Sequence, residues 1–529
     1  MLNRLRSLIT RTQGTRGSSR LGSPSQSIFE LIAAEVSRNP TAPLDESLFP
    51  TIRLDGDGEL SYAPGAVDAV IAVSSTNDKD REVVKSIVSR IERGKIREWK
   101  GVEEALRGVR AIGCVDAVIQ DLKRTRISSK AIQFLWTTAK FSSDYEVIKW
   151  GIALGSLGEN DEEKVRDLVM FARHPEFTIY SGYAIRRMAA AKPELKRYLV
   201  ELLPFSHQWG VINLIQQIVG ENDLIREHEV QRKVLIYGME NNGGIPMEVA
   251  FIIAANIELS RFVRLAETDT QVYVALSKLI DTLITQPNPL GGIDQLVDGD
   301  VLLAEYLEML TKRPTDIRML AGLDILKEHL AAHEPVKEEN AGLLSKVERL
   351  WAERFDDNVL RAGLRNADTR WLTLDLIGKL KIGSVLPEVR EAFQREPDYS
   401  SISVLAELGN NEDLQMLFAA IPRLVDLKDR ANRKISAVNV RGPESKGAFE
   451  YGRIVEALGR FVTPDAIAHL KVAASDYDPM IRQSACKAFA RIPLDKVDED
   501  IARIIHERLN DPMAYVREAA KEASSKLVV

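Results

Sequence analysis

Cysteine is scarce in this sequence, and long apolar runs are missing from it. The 529 residues include two cysteines, Cys114 and Cys486, which are 372 residues apart and form no Cys-x-x-Cys pair. Such sparse usage fits a reducing compartment better than disulfide bonds or a zinc site. No apolar run approaches the ~20 residues that a membrane-spanning helix needs. The sequence therefore predicts a cytoplasmic protein without a transmembrane segment.

Signatures of catalysis and of cofactor binding are also missing. The Gly-Lys pairs at Gly94 and Gly378 are followed by apolar residues, where a P-loop needs Ser or Thr. No Gly-x-Ser-x-Gly elbow occurs. The acidic turn at 55–59 alternates carboxylates as a calcium loop does, but Leu60 occupies the position that requires glycine. We predict no catalytic residue, no cofactor and no metal site.

Near its C-terminus the chain repeats itself. Residues 476–492 and 511–527 share the pattern Asp-x4-[Ile/Val]-Arg-x2-Ala-x2-Ala. In each copy the apolar positions recur at intervals of four, three and four residues, which is the spacing along one face of a helix. Stripes with similar spacing begin further upstream, at Val147, Phe177, Thr369, Ser400 and Glu450. The two copies begin 35 residues apart, and a repeat of this length indicates an architecture of stacked helix pairs.

The repeated pattern resembles the second helix of a HEAT repeat. The resemblance is clear from residue 369 onward. Between residues 110 and 225 it rests on spacing alone, because Ile148 and Thr178 stand in the arginine position. It implies an all-α fold, an armadillo-like α-solenoid of HEAT-like helix pairs with a smaller, less regular N-terminal region. A chain of 529 residues would otherwise need several globular domains, each with its own core, whereas a solenoid grows by adding helix pairs to one continuous core.

In HEAT repeats, aspartate and arginine side chains tend to link adjacent repeats. The resemblance implies this role for Asp476, Arg482, Asp511 and Arg517. The alternative is that the aspartates are ordinary helix caps and that the arginines are solvated charges.

Charge and composition divide the chain into three regions. Residues 1–28 carry five arginines and no acidic residue, so their charge is +5 and that of the remaining chain is −11. We predict a disordered basic tail over 1–28, a cap region with a small hairpin over 29–110, and the solenoid over 111–529 with an inserted loop at about 422–449. The first turns of the tail place leucines beside arginines. Mitochondrial targeting or membrane-surface anchoring is therefore the alternative to a cytoplasmic tail that contacts an acidic surface.

Stacked helix pairs present an extended surface, so the sequence predicts a non-enzymatic interaction protein. We expect a protein partner, with the chain acting as a scaffold, regulator or neutralising binder. The acidic body disfavours nucleic acid. The alternative is a HEAT-like enzyme: a metal-dependent hydroxylase, a chromophore lyase or a DNA glycosylase. A hydroxylase would use His-Glu pairs, which occur at His228, His333 and His506 but do not recur at one repeat position. His329 and His333 could also bind a metal from one helix face.

Two features mark candidate partner contacts. Trp371 occupies a position that is polar in the clear repeats and is turned away from the repeat core. It is therefore either an interface residue or a residue buried by neighbouring segments. The insertion is rich in basic residues and is predicted to be an exposed loop. Its candidate contact residues are Arg430, Arg433, Lys434 and Arg441.

Overall fold

The computed structural model is built from helices. It describes residues 26–45, 48–49, 63–71, 78–158, 162–242, 246–286, 292–332, 338–436 and 447–527, and no strand occurs among them. The predicted all-α fold is confirmed. No helix within these ranges is both long and apolar enough to cross a membrane. Most of the basic tail, the hairpin segment up to residue 62 and Arg441 lie outside the described residues.

The chain divides into two compact units, Met1–Lys312 and Arg313–Val529. The helices described in the first unit are α1 (Ile28–Arg38), α2 (Ala66–Ile71), α3 (Asp78–Glu92), α4 (Trp99–Leu106), α5 (Val115–Thr125), α6 (Ser129–Phe141), α7 (Tyr145–Gly155), α8 (Glu162–Ala172), α9 (Pro175–Ala189), α10 (Arg197–Glu201), α11 (Trp209–Val219), α12 (Asn222–Ile225), α13 (His228–Glu240), α14 (Pro246–Asn256), α15 (Leu259–Ala266), α16 (Thr270–Thr285) and α17 (Gly299–Lys312). Those of the second unit are α18 (Ile317–Ala331), α19 (Glu338–Arg354), α20 (Asp357–Arg365), α21 (Arg370–Leu380), α22 (Leu386–Arg395), α23 (Tyr399–Leu408), α24 (Asn411–Leu424), α25 (Leu427–Ala431), α26 (Ala448–Leu458), α27 (Pro464–Ala473), α28 (Pro479–Phe489), α29 (Glu499–Arg508) and α30 (Ala514–Leu527).

The folded region begins earlier than the predicted end of the tail. Ser27 is the N-cap of α1: its hydroxyl accepts a hydrogen bond from the backbone N–H of Glu30, whose carboxylate accepts one from the N–H of Ser27. This reciprocal pair satisfies two N–H groups that have no partner inside the helix. Ile28 is completely buried. Residues 27 and 28 therefore belong to the folded chain.

Asp-Pro pairs precede the second helices of the last two repeats. Asp478 is the N-cap of α28, where its carboxylate accepts the backbone N–H two residues later and Pro479 takes the first helical position. Asp511 accepts the corresponding N–H in the last repeat. The same pattern predicts a helix start at Pro512, but α30 begins at Ala514. The helices α28 and α30 therefore begin at different positions relative to the Asp-Pro pair, although the aspartate accepts the same backbone N–H in both repeats.

Alternate helices form a layer in each unit. In the second unit these helices, each packed on the next, are α21, α23, α26, α28 and α30. In the first unit they are α7, α9 and α11. Each also packs on a helix that precedes it in the chain, as the predicted helix pairs require. We call these helices the second-helix layer of their unit.

Small residues let neighbouring second helices approach closely. Ala485 and Ala488 of α28 are completely buried. A Cβ added to Gly459, directly after α26, would lie 2.5 Å from the backbone oxygen of Ala488, which is too close for any side chain. The alanine-rich stripe of the sequence is therefore the seam between α26 and α28.

A buried ion pair links the last two repeats. The side chains of Arg482 and Asp511 have no exposed surface, and two guanidinium nitrogens donate to the two carboxylate oxygens at 2.7 and 2.9 Å. The guanidinium also donates to the backbone oxygens of Asp476, Tyr477 and Ser436. All five of its N–H donors are thus satisfied, as burial of this cation requires. The predicted link is confirmed for this pair, and the alternative of a solvated charge is wrong.

The same register extends to other repeats. Arg482, Arg517 and Arg370 each donate to the backbone oxygen six residues earlier, at 3.0, 2.6 and 3.3 Å. Thr178, which stands in the arginine position of an earlier repeat, makes this hydrogen bond with its hydroxyl at 2.9 Å. For these four repeats the alignment drawn from the sequence is therefore also the structural alignment.

We expect Arg482→Met to lower the free energy of unfolding by about 3 kcal/mol, because it leaves the Asp511 carboxylate buried with Arg508, at 3.3 Å, as its counter-charge. Arg517→Met is the matched control. It removes the same side chain from the equivalent position, where the guanidinium binds two backbone oxygens, and should cost about 1 kcal/mol. Urea unfolding of both variants measures the difference. If both variants lost the same free energy of unfolding, the ion pair between Arg482 and Asp511 would not stabilise the protein beyond the hydrogen bonds to backbone oxygens that both arginines make.

Candidate interaction surface

Three large aromatic side chains are exposed along the second-helix layer of the second unit. Trp371, Tyr399 and Phe449 lie in the first turns of α21, α23 and α26, with 51%, 42% and 54% of their surface exposed. The rings of Tyr399 and Phe449 stack at a centroid distance of 5.0 Å. All three rings lie in the first turn of their helices, and these helices are successive neighbours in the layer. We call these three residues the aromatic row.

A groove of about 500 Å³ lies on the same helices. Its walls come from α23 and α26 and from the segments that follow α26 and α28. The residues that line it are Ser403, Ala406, Glu407, Arg453, Ala457, Arg460, Val462, Arg491 and Pro493. Since three of these side chains are cationic and one is anionic, we call it the arginine groove.

Two carboxylates hold the three arginines of the groove in place. Glu456 binds Arg453 at 3.2 Å and Arg491 at 2.7 Å, and Glu407 pairs with Arg460. Three guanidinium groups against two carboxylates leave one positive charge in excess. Each guanidinium carries five N–H donors in a planar fork, so donors remain for an incoming anion.

Arg453 joins the arginine groove to the aromatic row. Its guanidinium carbon lies 4.6 Å from the centroid of the Tyr399 ring, a cation–π distance. Its Nε donates to the hydroxyl of Ser403 at 2.9 Å. Apolar rings and cationic groups therefore form one continuous surface.

The second-helix layer of the first unit contains a buried charge cluster. The ammonium of Lys149, in α7, lies 2.8 Å from the carboxylates of Asp68 and Glu146 and 2.5 Å from that of Glu176. Oxygens of the three acids lie within 4.8 Å of one another, which is close enough to hold a metal ion. The ammonium, however, already occupies the place of the cation. The cluster is therefore an ion-pair network and not a metal centre.

Burial of several carboxylates around one ammonium changes their protonation. Burial raises the pKa of Glu176 to about 7, with the Lys149 ammonium opposing this shift and the Asp68 carboxylate adding to it. Burial likewise raises the pKa of Asp68. The side chain of His174, which precedes α9, is affected in the opposite direction, since burial lowers its pKa to about 3. Near neutral pH the cluster therefore retains protons that exposed carboxylates would have lost.

The cluster attaches an N-terminal segment to the second-helix layer. Asp68 belongs to α2, which packs on α9 and α11, and the backbone N–H of Gly65 donates to Glu176 at 2.5 Å. Gly65 has a φ of +78°, and a Cβ there would lie 2.6 Å from the backbone oxygen of Pro175. Only glycine fits such a conformation at this distance. Residues 63–71 therefore cover part of this layer.

Comparison with known proteins identifies the repeats. Residues 451–525 match the family model for HEAT repeats. These residues form HEAT repeats. A search of the curated proteins finds no match to this chain.

Solved structures with some likeness to this chain include an engineered protein, with 14% identity over 86% of this chain and 100% of that chain, at a TM-score of 0.27. Another comes from work on a phosphorylation switch that controls the interaction between cadherin and beta-catenin. It has 11% identity over 77% of this chain and 94% of that chain, at a TM-score of 0.22.

Trp371 lies where the helical register placed it. Half of its surface is exposed, on the side of α21 away from the core. The alternative that neighbouring segments bury it is therefore wrong. Its contact with a partner stays a prediction.

Arg430 is a structural residue and not an exposed contact. It is buried in the short helix α25, and its guanidinium donates to the two carboxylate oxygens of Asp476 at 2.9 and 2.8 Å. The guanidinium carbon lies 5.5 Å from the ring centroid of Tyr451, which stands in the arginine position of α26. The prediction of an exposed loop is wrong here, because the inserted segment supplies the guanidinium that this HEAT repeat lacks.

The other basic residues of the insertion differ from Arg430. Arg433 pairs with Asp429 at 2.7 Å, and its guanidinium carbon lies 5.0 Å from the centroid of the Tyr477 ring. Lys434 is exposed, and Arg441 lies outside the described residues. A role of these three residues in partner binding stays a prediction.

The His-Glu pairs lie on separate helices or outside the described chain. His228 begins α13, where its ring stacks on that of Phe262 at 5.3 Å. His506 lies in the last turn of α29, and His329 lies in the last turn of α18. His333 falls outside the described residues.

The sequence analysis did not single out Tyr399, Phe449, Lys149 or the residues of the arginine groove, although the first three carried a signal. Tyr399 and Phe449 each stand immediately before the apolar stripe of their repeat, so one aromatic position recurs. Lys149 interrupts an otherwise apolar helix, "VIKWGIALG", which marks it as a charge that needs a buried partner. The arginine groove has no such signal, because its members come from distant segments.

We expect Glu176→Gln to gain stability relative to the wild type as pH rises from 4.5 to 7. The native pKa of Glu176 is raised, so the wild type has the full contribution of this proton below pH 4.5 and loses it as pH rises through 7. The variant keeps a hydrogen-bond acceptor for Gly65 and does not titrate. At 1.36 kcal/mol per pKa unit the difference reaches at most about 3 kcal/mol.

Urea unfolding at several pH values measures this difference, from which the titration of His174 cancels because both proteins contain it. Glu388→Gln is the control. The Arg361 guanidinium lowers the pKa of Glu388, so this variant should lose stability relative to the wild type as pH rises. A pH-independent difference for Glu176→Gln would contradict the prediction.

Proposed function

We propose that this chain is a non-enzymatic HEAT-repeat interaction protein that binds a protein partner through the second-helix layer of its second unit. The observation that carries the proposal is the aromatic row, formed by Trp371, Tyr399 and Phe449. Aromatic side chains bring large contact areas to an interface, and tryptophan and tyrosine are enriched at its energetic centres. Three of them on neighbouring helices leave an apolar surface that the core of this unit does not use.

A comparison within the chain supports this proposal. Lys149 directly follows the arginine position of α7, as Trp371 follows that of α21. In the first unit, residues 63–71 pack on the layer there, and Lys149 is completely buried. In the second unit the equivalent side chain is half exposed. The layer is thus suited to binding a short segment, and in the second unit we propose that a partner supplies it.

The proposed role is that of a scaffold, regulator or neutralising binder in the cytoplasm. Both cysteines are buried free thiols, and burial raises the pKa of each to about 12. Such thiols are poor nucleophiles and poor candidates for disulfide exchange, which agrees with a reducing compartment. The net charge of −6 favours a protein partner over nucleic acid.

We expect the triple variant Trp371→Ala, Tyr399→Ala, Phe449→Ala to lose its partner while it keeps its fold. Each side chain is about half exposed, so each replacement should change stability by about 0.5 kcal/mol or less, whereas a buried tryptophan would cost about 3 kcal/mol or more. Loss of interface anchors should weaken binding by at least about tenfold. Quantitative co-purification from the native cell, with thermal melting as a check on folding, measures both effects.

Val472→Ala is the matched control. Val472 is an exposed apolar residue of the same unit, with 64% of its surface exposed, but it lies on α27, outside the second-helix layer. The same protein should co-purify with the wild type and with this control and be depleted from the triple variant. Equal recovery with all three would refute the proposed surface.

A further inference from the structure

We infer that the segment bound by this surface is an acidic peptide, whose carboxylates bind the arginine groove while its apolar side chains pack on the aromatic row. This inference rests on the proposed function and adds the chemistry of the partner. It begins from charge: Arg453, Arg460 and Arg491 line one groove in a chain whose net charge is −6. A local cationic surface on an acidic protein attracts anions that the rest of the molecule repels.

The donors of the groove are placed for carboxylates. Glu456 and Glu407 already fix the three guanidinium groups, so little side-chain entropy remains to be lost on binding. Planar guanidinium groups bind carboxylates through two parallel hydrogen bonds. Incoming carboxylates would share the three cations with the resident acids, which leave one positive charge uncompensated.

The dimensions of the surface fit an extended peptide. The groove touches α23 and α26 and the segment after α28, and packed helices are about 8–10 Å apart. Three neighbouring helices therefore span about 20 Å, the length of about six residues at 3.3 Å per residue. Since Arg453 contacts both the groove and the Tyr399 ring, one such peptide reaches both parts of the surface.

The first unit contains the same chemistry on a smaller scale. Residues 63–71 lie against its second-helix layer, and the carboxylate of Asp68 binds the Lys149 ammonium at 2.8 Å. The backbone N–H of Gly65 donates to a helix carboxylate, that of Glu176. In the second unit Arg453 would take the place of Lys149 and bind a carboxylate of the peptide, and Glu407 would take the place of Glu176 and accept a backbone N–H.

Selection of peptides from a random library of about twelve residues, displayed on phage, tests the inference on the full chain. The wild type should enrich peptides in which Asp or Glu alternates with aromatic or aliphatic residues. The groove variant Arg460→Ala, Arg491→Ala should bind the best of these at least about tenfold more weakly. The control Arg503→Ala removes an exposed arginine of α29 that pairs with Asp500 and Glu507, and it should bind like the wild type.

The salt dependence of the wild-type complex tests the inference without any variant, since added salt should weaken a complex built on charge. Selection of basic or uncharged peptides, unchanged affinity of the groove variant, or groove-dependent binding of a single-stranded oligonucleotide in place of peptides would overturn it. If the selected peptides are uncharged but fail to bind the aromatic-row triple variant, the acidic partner is refuted and the interaction function stands. If the triple variant keeps its native partner, the proposed function itself fails.

Discussion

A buried charge needs a partner, and this requirement fixes how the helices of each unit meet. In the second unit Arg482 reaches from one repeat to Asp511 of the next and satisfies every donor it carries. In the first unit Lys149 gathers acids from three helices. Apolar stripes supply most of the stabilisation, but they tolerate small shifts of one helix along another. A paired charge does not tolerate them, because a displaced partner leaves an uncompensated ion in the interior.

The second-helix layer has two faces with different tasks. One face carries the alanine-rich stripe and the arginines that link repeats, so its residues are constrained by packing. The other face carries Trp371, Tyr399 and Phe449, whose side chains are about half exposed and are not required for packing, beside the arginines of the groove. Residues that the fold does not require are free to serve a partner. This division explains why the aromatic row lies on the same helices as the most regular part of the core.

The repeat pattern could be predicted because it is local. A stripe such as Ile481 with Ala485 and Ala488 lies within one helix, and its spacing alone reports the buried face. The ion pair of Arg482 could also be predicted, because HEAT repeats, which the sequence resembles, tend to have an arginine–aspartate contact between adjacent repeats. The role of Arg430 could not be predicted, since its partner Asp476 lies 46 residues away and sequence spacing says nothing about that approach. The arginine groove could not be predicted either, because its residues come from segments that are far apart in the sequence.

The insertion that contains Arg430 has become part of the repeat that follows it. Tyr451 cannot supply the guanidinium that its position normally provides, and Arg430 brings one from outside the helix pair to Asp476 and to Asp478, 3.6 Å away. Excision of the insertion would restore a uniform repeat length and yet leave these two acids without their counter-charge. A shortened chain would need arginine at position 451 in the same step. The length of this repeat and the identity of residue 451 are thus coupled through one requirement, a guanidinium group for Asp476.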